Sequence, residues 1–137
     1  MDPEKKSVAK AEAHIARTHY QTIASSGKHA IIIDEPEDLN GGDTGMNPFE
    51  LLLSSLGSCT VITLRMYIER KMWIVDEIHI ELEAFAVPNG YLVESKVTFT
   101  GNLTAEQTER LLQITEACPI HKLLSGNVII KTKVNNA

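Results

Sequence analysis

The chain lacks the excess of positive charge that is typical of nucleic-acid-binding proteins. Its 137 residues include 13 Lys and Arg against 18 Asp and Glu, which gives a formal net charge of −5. Affinity for phosphate backbones depends on basic side chains that neutralise phosphates. We therefore expect no nucleic-acid partner.

Long apolar runs and cysteines are also scarce. The opening MDPEKKSVAKAEAH has no apolar segment of the signal-peptide kind, and the runs IIIDEP and LLLSSLG are too short to span a bilayer. We expect a cytoplasmic protein without a membrane partner.

Cys59 and Cys118 are the two cysteines. In a reducing compartment we expect a disulfide between them to be transient rather than structural.

Several motifs of well-known sites are missing. The glycine-rich GGDTG matches neither the P-loop nor the dinucleotide fingerprint, and no GxSxG elbow of a serine hydrolase occurs. Cys118 and His121 are three residues apart, but a zinc site needs three or four ligands and no CxxC is present. The sequence therefore gives little support to phosphate binding, serine chemistry or a metal.

The length and the 43% hydrophobic content predict one domain over residues 1–137, with residues 1–7 as a disordered terminus. Residues 11–36 predict short strands with a turn at 25–28. A helix is predicted from the cap Asn47 to about Lys71, because Pro48 and Glu50 complete an N-terminal signature.

The second half predicts a hairpin, two helices and a closing strand. Alternation over 75–85, the turn Pro88-Asn89-Gly90 and an answering strand over 91–100 form the hairpin. Thr104 and Gln107 predict the start of a second helix, and Pro119 predicts a short third one with Cys118 as its N-cap. With a last strand over Val128 to Val134, the order β-β-α-β-β-α-α-β indicates an α+β domain with a largely antiparallel sheet packed on helices.

The two cysteines admit a structural and a chemical interpretation. Cys59 shares a helical stripe with apolar residues, so it can be a small core hydrophobe. Cys118 can be a neutral cap residue, but a thiol at a helix N-terminus has a lowered pKa. On local electrostatics alone Cys118 is the more acidic thiol, and Cys59 needs a cation from elsewhere. The members of the stripe are Leu52, Leu56, Cys59, Ile62 and Met66.

Two segments together resemble a known family. DEPEDLNGGDTGMNPFELLLSSLGSCTVITLRMY, followed by the distant ACPIHKLLSGNV, is similar to the OsmC/Ohr thiol-dependent peroxidases, and LRMYIERKMW looks like their small OsmC-like redox subgroup. The resemblance extends from about Ala13 to Lys133. It implies an interwoven homodimer, with two long helices stacked centrally and sheets wrapped around them.

The resemblance also implies an activity. The family reduces organic hydroperoxides, and hydrogen peroxide less well, with Cys59 at the peroxidatic position and Cys118 at the resolving one. An external dithiol or a lipoylated protein is the implied reductant. No metal or organic cofactor is implied.

Two supporting residues follow from the same resemblance. The family uses an arginine from its N-terminal strands to hold the thiolate, and Arg17, expected on the first strand, is the candidate here. A shifted register would place Tyr20 or Gln21 there instead. The family's glutamate follows Asn-Pro directly, whereas here Phe49 intervenes and Glu50 comes one residue later, about 100 degrees around the helix. Glu50 is thus expected to act in the capping box.

Two other functions remain open at this point. The same dimer can be a redox-sensing or apolar-ligand-binding module with little turnover, or a structural dimer with inert cysteines. A cation close to Cys59 favours the peroxidase, and its absence favours binding.

Overall fold

A computed structural model describes residues 4–136 of the chain. The chain divides into two compact units, Met1–Leu52 and Leu53–Ala137. The prediction of a single domain stays a prediction. Of the terminus expected to be disordered, residues 1–3 lie outside the described residues, while residues 4–7 are exposed and have no regular secondary structure.

The elements follow the order β-β-β-α-β-β-α-α, with two 3₁₀ turns at Glu37–Leu39 and Thr115–Ala117. This corrects the expected order, because three strands precede the first helix and the chain ends without a strand in its described part. The α+β class itself is confirmed. The elements are β1 (Glu12–Ile15), β2 (Thr22–Ser26), β3 (His29–Ile33), α1 (Pro48–Arg70), β4 (Val75–Val87), β5 (Gly90–Gly101), α2 (Ala105–Ile114) and α3 (Pro119–Ser125).

The first unit contains an antiparallel sheet in the order β1-β2-β3. A two-residue turn joins β2 to β3, and Gly27 occupies it with a φ of 58°, a value that suits a residue without a Cβ. The pairing of β1 with β2 stops at Ile15 opposite Thr22. Arg17 therefore lies in the exposed connection after β1, and its expected place on the first strand is wrong.

A buried carboxylate organises the loop that follows β3. Asp34 is 2% exposed and accepts hydrogen bonds from the backbone N–H groups of Tyr20 (3.1 Å), Glu35 (2.8 Å), Gly42 (3.4 Å) and Thr44 (3.2 Å). The Thr44 hydroxyl donates a fifth, at 2.6 Å. The Tyr20 N–H thus donates to Asp34 rather than to a neighbouring strand, which is consistent with the early end of β1.

The start of α1 is the one that its sequence predicts. The Asn47 side chain accepts from the Glu50 N–H at 2.8 Å, and the Glu50 carboxylate accepts from the Asn47 N–H at 2.9 Å. These reciprocal bonds form a capping box. The helix ends at Arg70, one residue before the predicted end. Although its separate apolar runs are short, α1 as a whole is long and apolar enough to cross a membrane by length and composition, a test that core helices of soluble proteins also pass.

The second unit is built from the β4-β5 hairpin, most of α1, and the helices α2 and α3. The hairpin closes through a two-residue turn between Val87 and Gly90. Thr104 and Gln107 form the predicted capping box of α2. Side chains from α1, α2 and the start of β4 form the buried core. The core residues are Leu64, Tyr67, Ile68, Val75 and Leu111.

The expected closing strand does not form. Residues 128–134 have no regular secondary structure, and Ile130 is 83% exposed. The β-branched residues there do favour an extended strand, but a strand is stabilised by pairing with a neighbour. Among residues 4–136, the recorded sheets contain no pairing partner for this segment.

Candidate active site

The fold brings the two cysteines together although they are far apart in sequence. Cys59 lies in the middle of α1 and is partly buried, while Cys118 precedes α3 and is 0% exposed. Both thiols are free, and a hydrogen bond links the two sulfurs. The two thiols therefore lie close enough to influence each other's pKa.

Local sequence explains how Cys118 is held. Pro119 opens α3, and Cys118 takes the extended conformation of an N-cap, with φ −60° and ψ 123°. Its Sγ accepts a hydrogen bond from the His121 N–H at 3.4 Å, and its carbonyl accepts from the Lys122 N–H at 3.1 Å. The N-cap predicted for Cys118 is confirmed.

The surroundings of Cys59 favour its protonated form. Burial raises the pKa of the Cys59 thiol, and its hydrogen bond to Cys118 raises this pKa further. The Ile120 N–H and the Thr63 hydroxyl act in the opposite direction without reversing the shift.

The surroundings of Cys118 favour its thiolate. Burial alone would raise the pKa of Cys118, but polar contacts with Cys59, the His121 N–H and the Thr60 hydroxyl outweigh it, so the pKa lies below its ordinary value. The two groups titrate as a pair. The more acidic thiol is thus the less accessible one.

Sequence reasoning missed two hydroxyl groups on α1. Thr60 is buried and donates to the Leu56 carbonyl at 2.8 Å, and it also lies within hydrogen-bonding reach of the Cys118 sulfur. Thr63 follows Cys59 by four residues, the spacing of neighbours on one helix face, and contacts the Cys59 sulfur. The sequence signal that could have identified them is the presence of threonines close to a cysteine on an otherwise apolar helix face.

The two supporting residues expected from the resemblance belong to the first unit. Arg17 is exposed, and Glu50 forms the capping box with Asn47. Phe49 is exposed at the position where the family has its glutamate. The largest influences on the pKa of either cysteine are burial and hydrogen bonds rather than a cation. The roles of Arg17 and Glu50 stay predictions.

An apolar cavity of about 570 Å³ lies between β5 and α2. Val97 and Phe99 line it from the strand, and Leu111 and Leu112 line it from the helix. Its size and apolar lining are typical of sites for small hydrophobic molecules.

A cationic cluster surrounds Tyr67 at the end of α1. The Arg110 Nε donates to the Tyr67 hydroxyl at 3.1 Å, and the charged groups of Arg70, Lys71 and Arg110 lie 5.6 to 5.9 Å from the ring centre. The hydrogen bond from Arg110 is the main cause that lowers the pKa of Tyr67. Trp73 packs edge-on against the same ring at 5.7 Å.

Comparison with solved structures identifies the fold. An OsmC-like protein from Mycoplasma pneumoniae superposes with a TM-score of 0.77 at 18% identity, over 89% of this chain and 90% of that chain. An organic hydroperoxide resistance protein OsmC from Legionella pneumophila, also described as a predicted redox protein and regulator of sulfide bond formation, gives 0.63 at 20% identity, with 90% and 93% covered. A further organic hydroperoxide resistance protein, from Elizabethkingia anophelis with thiocyanate bound, gives 0.64 at 18% identity, with 91% and 93% covered.

These likenesses establish the OsmC-like fold of the single chain, whereas the interwoven homodimer stays a prediction. No curated protein matches the chain. The model of the family described as OsmC-like protein matches residues 41–133, which include both cysteines. Because this match spans more than half of the sequence, the chain belongs to the OsmC-like protein family.

Proposed function

We propose that the protein is a cysteine-based, thiol-dependent peroxidase that reduces organic hydroperoxides, and hydrogen peroxide less well. Family membership supports a redox-related role, and two of the structural neighbours bear the name of organic hydroperoxide resistance proteins. The observation that carries the proposal is the hydrogen-bonded pair of free thiols, one partly exposed and one buried.

The chemistry assigns a different step to each thiol. Cys59 is the accessible sulfur, and its proton can pass along the hydrogen bond to the Cys118 thiolate. The resulting Cys59 thiolate attacks the distal oxygen of the hydroperoxide, the O–O bond breaks, and the leaving alkoxide takes the proton from Cys118 to become an alcohol. Cys59 becomes a sulfenic acid. Cys118 then attacks that sulfur and expels water, which leaves a disulfide.

The cycle needs an outside reductant and a second copy of the chain. We propose an external dithiol or a lipoylated protein as the electron donor, with no metal, organic cofactor or nucleic acid involved. The homodimer is supported by apolar side chains that the single chain leaves exposed on α1, among them Ile62 at 51% and Met66 at 61%. Such surface suits burial against a partner helix.

The proposal retains Arg17 as the cation and Glu50 as its support. In a homodimer the arginine can come from either copy, and a cation next to Cys59 would counter the burial that raises the pKa of this thiol. We place the protein in the reducing cytoplasm, where a dithiol pool can reset the pair.

Peroxide consumption by single-cysteine variants tests the proposal. Intact-mass spectrometry after one equivalent of cumene hydroperoxide should show a loss of about two mass units, mapped to Cys59 joined to Cys118. Cys59→Ser should abolish peroxide consumption. Cys118→Ser should allow a single turnover and leave a sulfenic acid that dimedone traps. Equal residual activity in the two variants would contradict the assigned roles.

A second candidate is a redox-sensing or apolar-ligand-binding dimer with little turnover. The apolar cavity of about 570 Å³ and the raised pKa of Cys59 favour it. Unreacted protein in the peroxide experiment, together with binding of a fatty acid probe that Leu112→Lys abolishes, would support this candidate over the peroxidase.

A further inference from the structure

We propose that the reducing thiol attacks the Cys59 sulfur of the Cys59–Cys118 disulfide, and that Cys118 is expelled as a thiolate held by the His121 N–H and the Thr60 hydroxyl. The inference concerns the reductive half of the cycle and rests on the proposed function, because it takes the disulfide as the species to be reduced.

Access to the sulfurs selects the point of attack. Which sulfur of a disulfide is attacked depends on its accessibility to the incoming thiolate. Cys118 is 0% exposed within the single chain, whereas Cys59 is partly exposed. Association with a second copy can only cover more surface, so dimer formation does not open Cys118. In the single chain, the exposed side of the pair is the side of Cys59.

The quality of the leaving group leads to the same choice. Of the two sulfurs in a disulfide, the one whose thiol is more acidic leaves faster. The Cys118 sulfur already accepts the His121 N–H at 3.4 Å. Negative charge that develops on this sulfur therefore meets a donor that is fixed by the backbone, with no rearrangement needed.

Thr60 supplies a second donor that can turn toward the charge. Its single hydroxyl proton is directed at the Leu56 carbonyl at 2.8 Å, and its oxygen lies within reach of the Cys118 sulfur. In an α-helix the Leu56 carbonyl also accepts the N–H four residues on, so it keeps a partner when the hydroxyl rotates. Thr60 is thus a positioning residue for the leaving thiolate.

The step balances with a dithiol as reductant. The first thiolate of the dithiol forms a bond to the Cys59 sulfur, the Cys59–Cys118 bond breaks, and its electron pair goes to Cys118. The second thiol of the reductant then attacks the reductant sulfur that is bonded to Cys59, and Cys59 is released as a thiolate. The dithiol leaves oxidised as a cyclic disulfide, and two electrons have passed to the protein.

Trapping with a monothiol tests the point of attack. The disulfide is formed with diamide, so the experiment does not depend on peroxidase activity, and it is opened with 2-mercaptoethanol, which cannot complete the second step by itself. After an acid quench and N-ethylmaleimide, peptide mapping should find mercaptoethanol on Cys59 and maleimide on Cys118. The reverse pattern, equal labelling of both, or failure of diamide to close the pair would overturn the proposal. If the Cys59 adduct is trapped but the protein does not react with peroxide, only the proposed peroxidase activity would be refuted.

Two variants test the part played by Thr60. Thr60→Val keeps the shape and removes the hydroxyl, while Thr60→Ser keeps the hydroxyl. Loss of one hydrogen bond to the leaving thiolate should slow mixed-disulfide formation about two- to tenfold in the valine variant. In a Cys59→Ser background, the pH profile of Cys118 alkylation should move to higher pH with Thr60→Val and stay in place with Thr60→Ser. Equal rates and equal profiles for valine and serine would remove Thr60 from the mechanism.

Discussion

Gly57 brings α1 into close contact with β4, and replacing it tests how tightly the helix that carries Cys59 is fixed. An ideal Cβ at this position would lie 2.8 Å from the Leu82 Cδ1 and 3.3 Å from the Ile80 Cγ2. A glycine inside a helix costs about 1 kcal/mol relative to alanine. Its position in the middle of α1 leaves little room for a larger side chain against Leu82 and Ile80.

The size of the side chain decides the outcome. Carbon atoms in contact prefer about 3.5 to 4.0 Å, so Gly57→Ala requires the Leu82 methyl to retreat by roughly 1 Å. Because that methyl ends a flexible side chain, we expect a cost of about 1 kcal/mol, close to the gain in helix propensity. Gly57→Ala should leave the free energy of unfolding within about 1 kcal/mol of the original. Gly57→Leu overfills the contact and should lower it by about 2 kcal/mol.

Urea unfolding of a double-mutant cycle measures this contact. Leu82→Ala removes the methyl that the new side chain meets. Combined with Gly57→Leu it should recover about 1 kcal/mol or more relative to the sum of the two single changes. Additive losses, or a Gly57→Leu variant as stable as the original, would show that α1 and β4 do not meet as described.

Two further predictions concern charges outside the cysteine pair. The Thr44 hydroxyl, followed by the surrounding N–H groups, holds the pKa of Asp34 well below its ordinary value of about 3.9. The stabilising effect of the Asp34 carboxylate is therefore complete above about pH 3.9, the ordinary pKa, and is lost as the pH falls toward the lower folded pKa. Asp34→Asn should destabilise residues 12–46 at neutral pH. Hydrogen exchange should also show a weaker loss of stability in acid for this variant. Arg110→Met should raise the pKa of Tyr67 because its main hydrogen-bond donor is lost, and ultraviolet titration of a Tyr20→Phe, Tyr91→Phe background should detect the shift; an unchanged titration would assign the lowered pKa to Arg70 and Lys71.

Features with a local cause could be predicted from the sequence. The capping boxes of α1 and α2 depend on residues three apart, and Pro119 after Cys118 marks the start of α3 within two residues. The alternation of residue types over β4 likewise predicts a strand in which one face is more exposed than the other. In each case the residues that cause the feature lie within one turn or one strand, so a short stretch of sequence is enough to predict it.

Features that depend on a distant partner were predicted less well. The β-branched run over 128–134 indicates a preference for extended structure, but it does not say whether a neighbouring strand is available. In the connection after β1, the Tyr20 N–H binds Asp34, which lies fourteen residues away in sequence. The apolar strand followed by an acid and a glycine-rich loop was a signal for such a carboxylate, although it did not identify its five donors.

The site divides acidity and access between its two cysteines, and this division has a consequence for catalysis. The Cys118 thiolate is stabilised but buried, whereas Cys59 is accessible but favours its protonated form. In the proposed peroxidase cycle, a peroxide therefore reacts only after Cys59 has lost its proton, either to Cys118 or with the help of a cation, the role proposed for Arg17. In the proposed reductive step, the same division favours turnover, because the accessible sulfur is the one proposed to be attacked and the stabilised sulfur is the one proposed to leave. The arrangement thus assists reduction of the disulfide more directly than it assists the attack on peroxide.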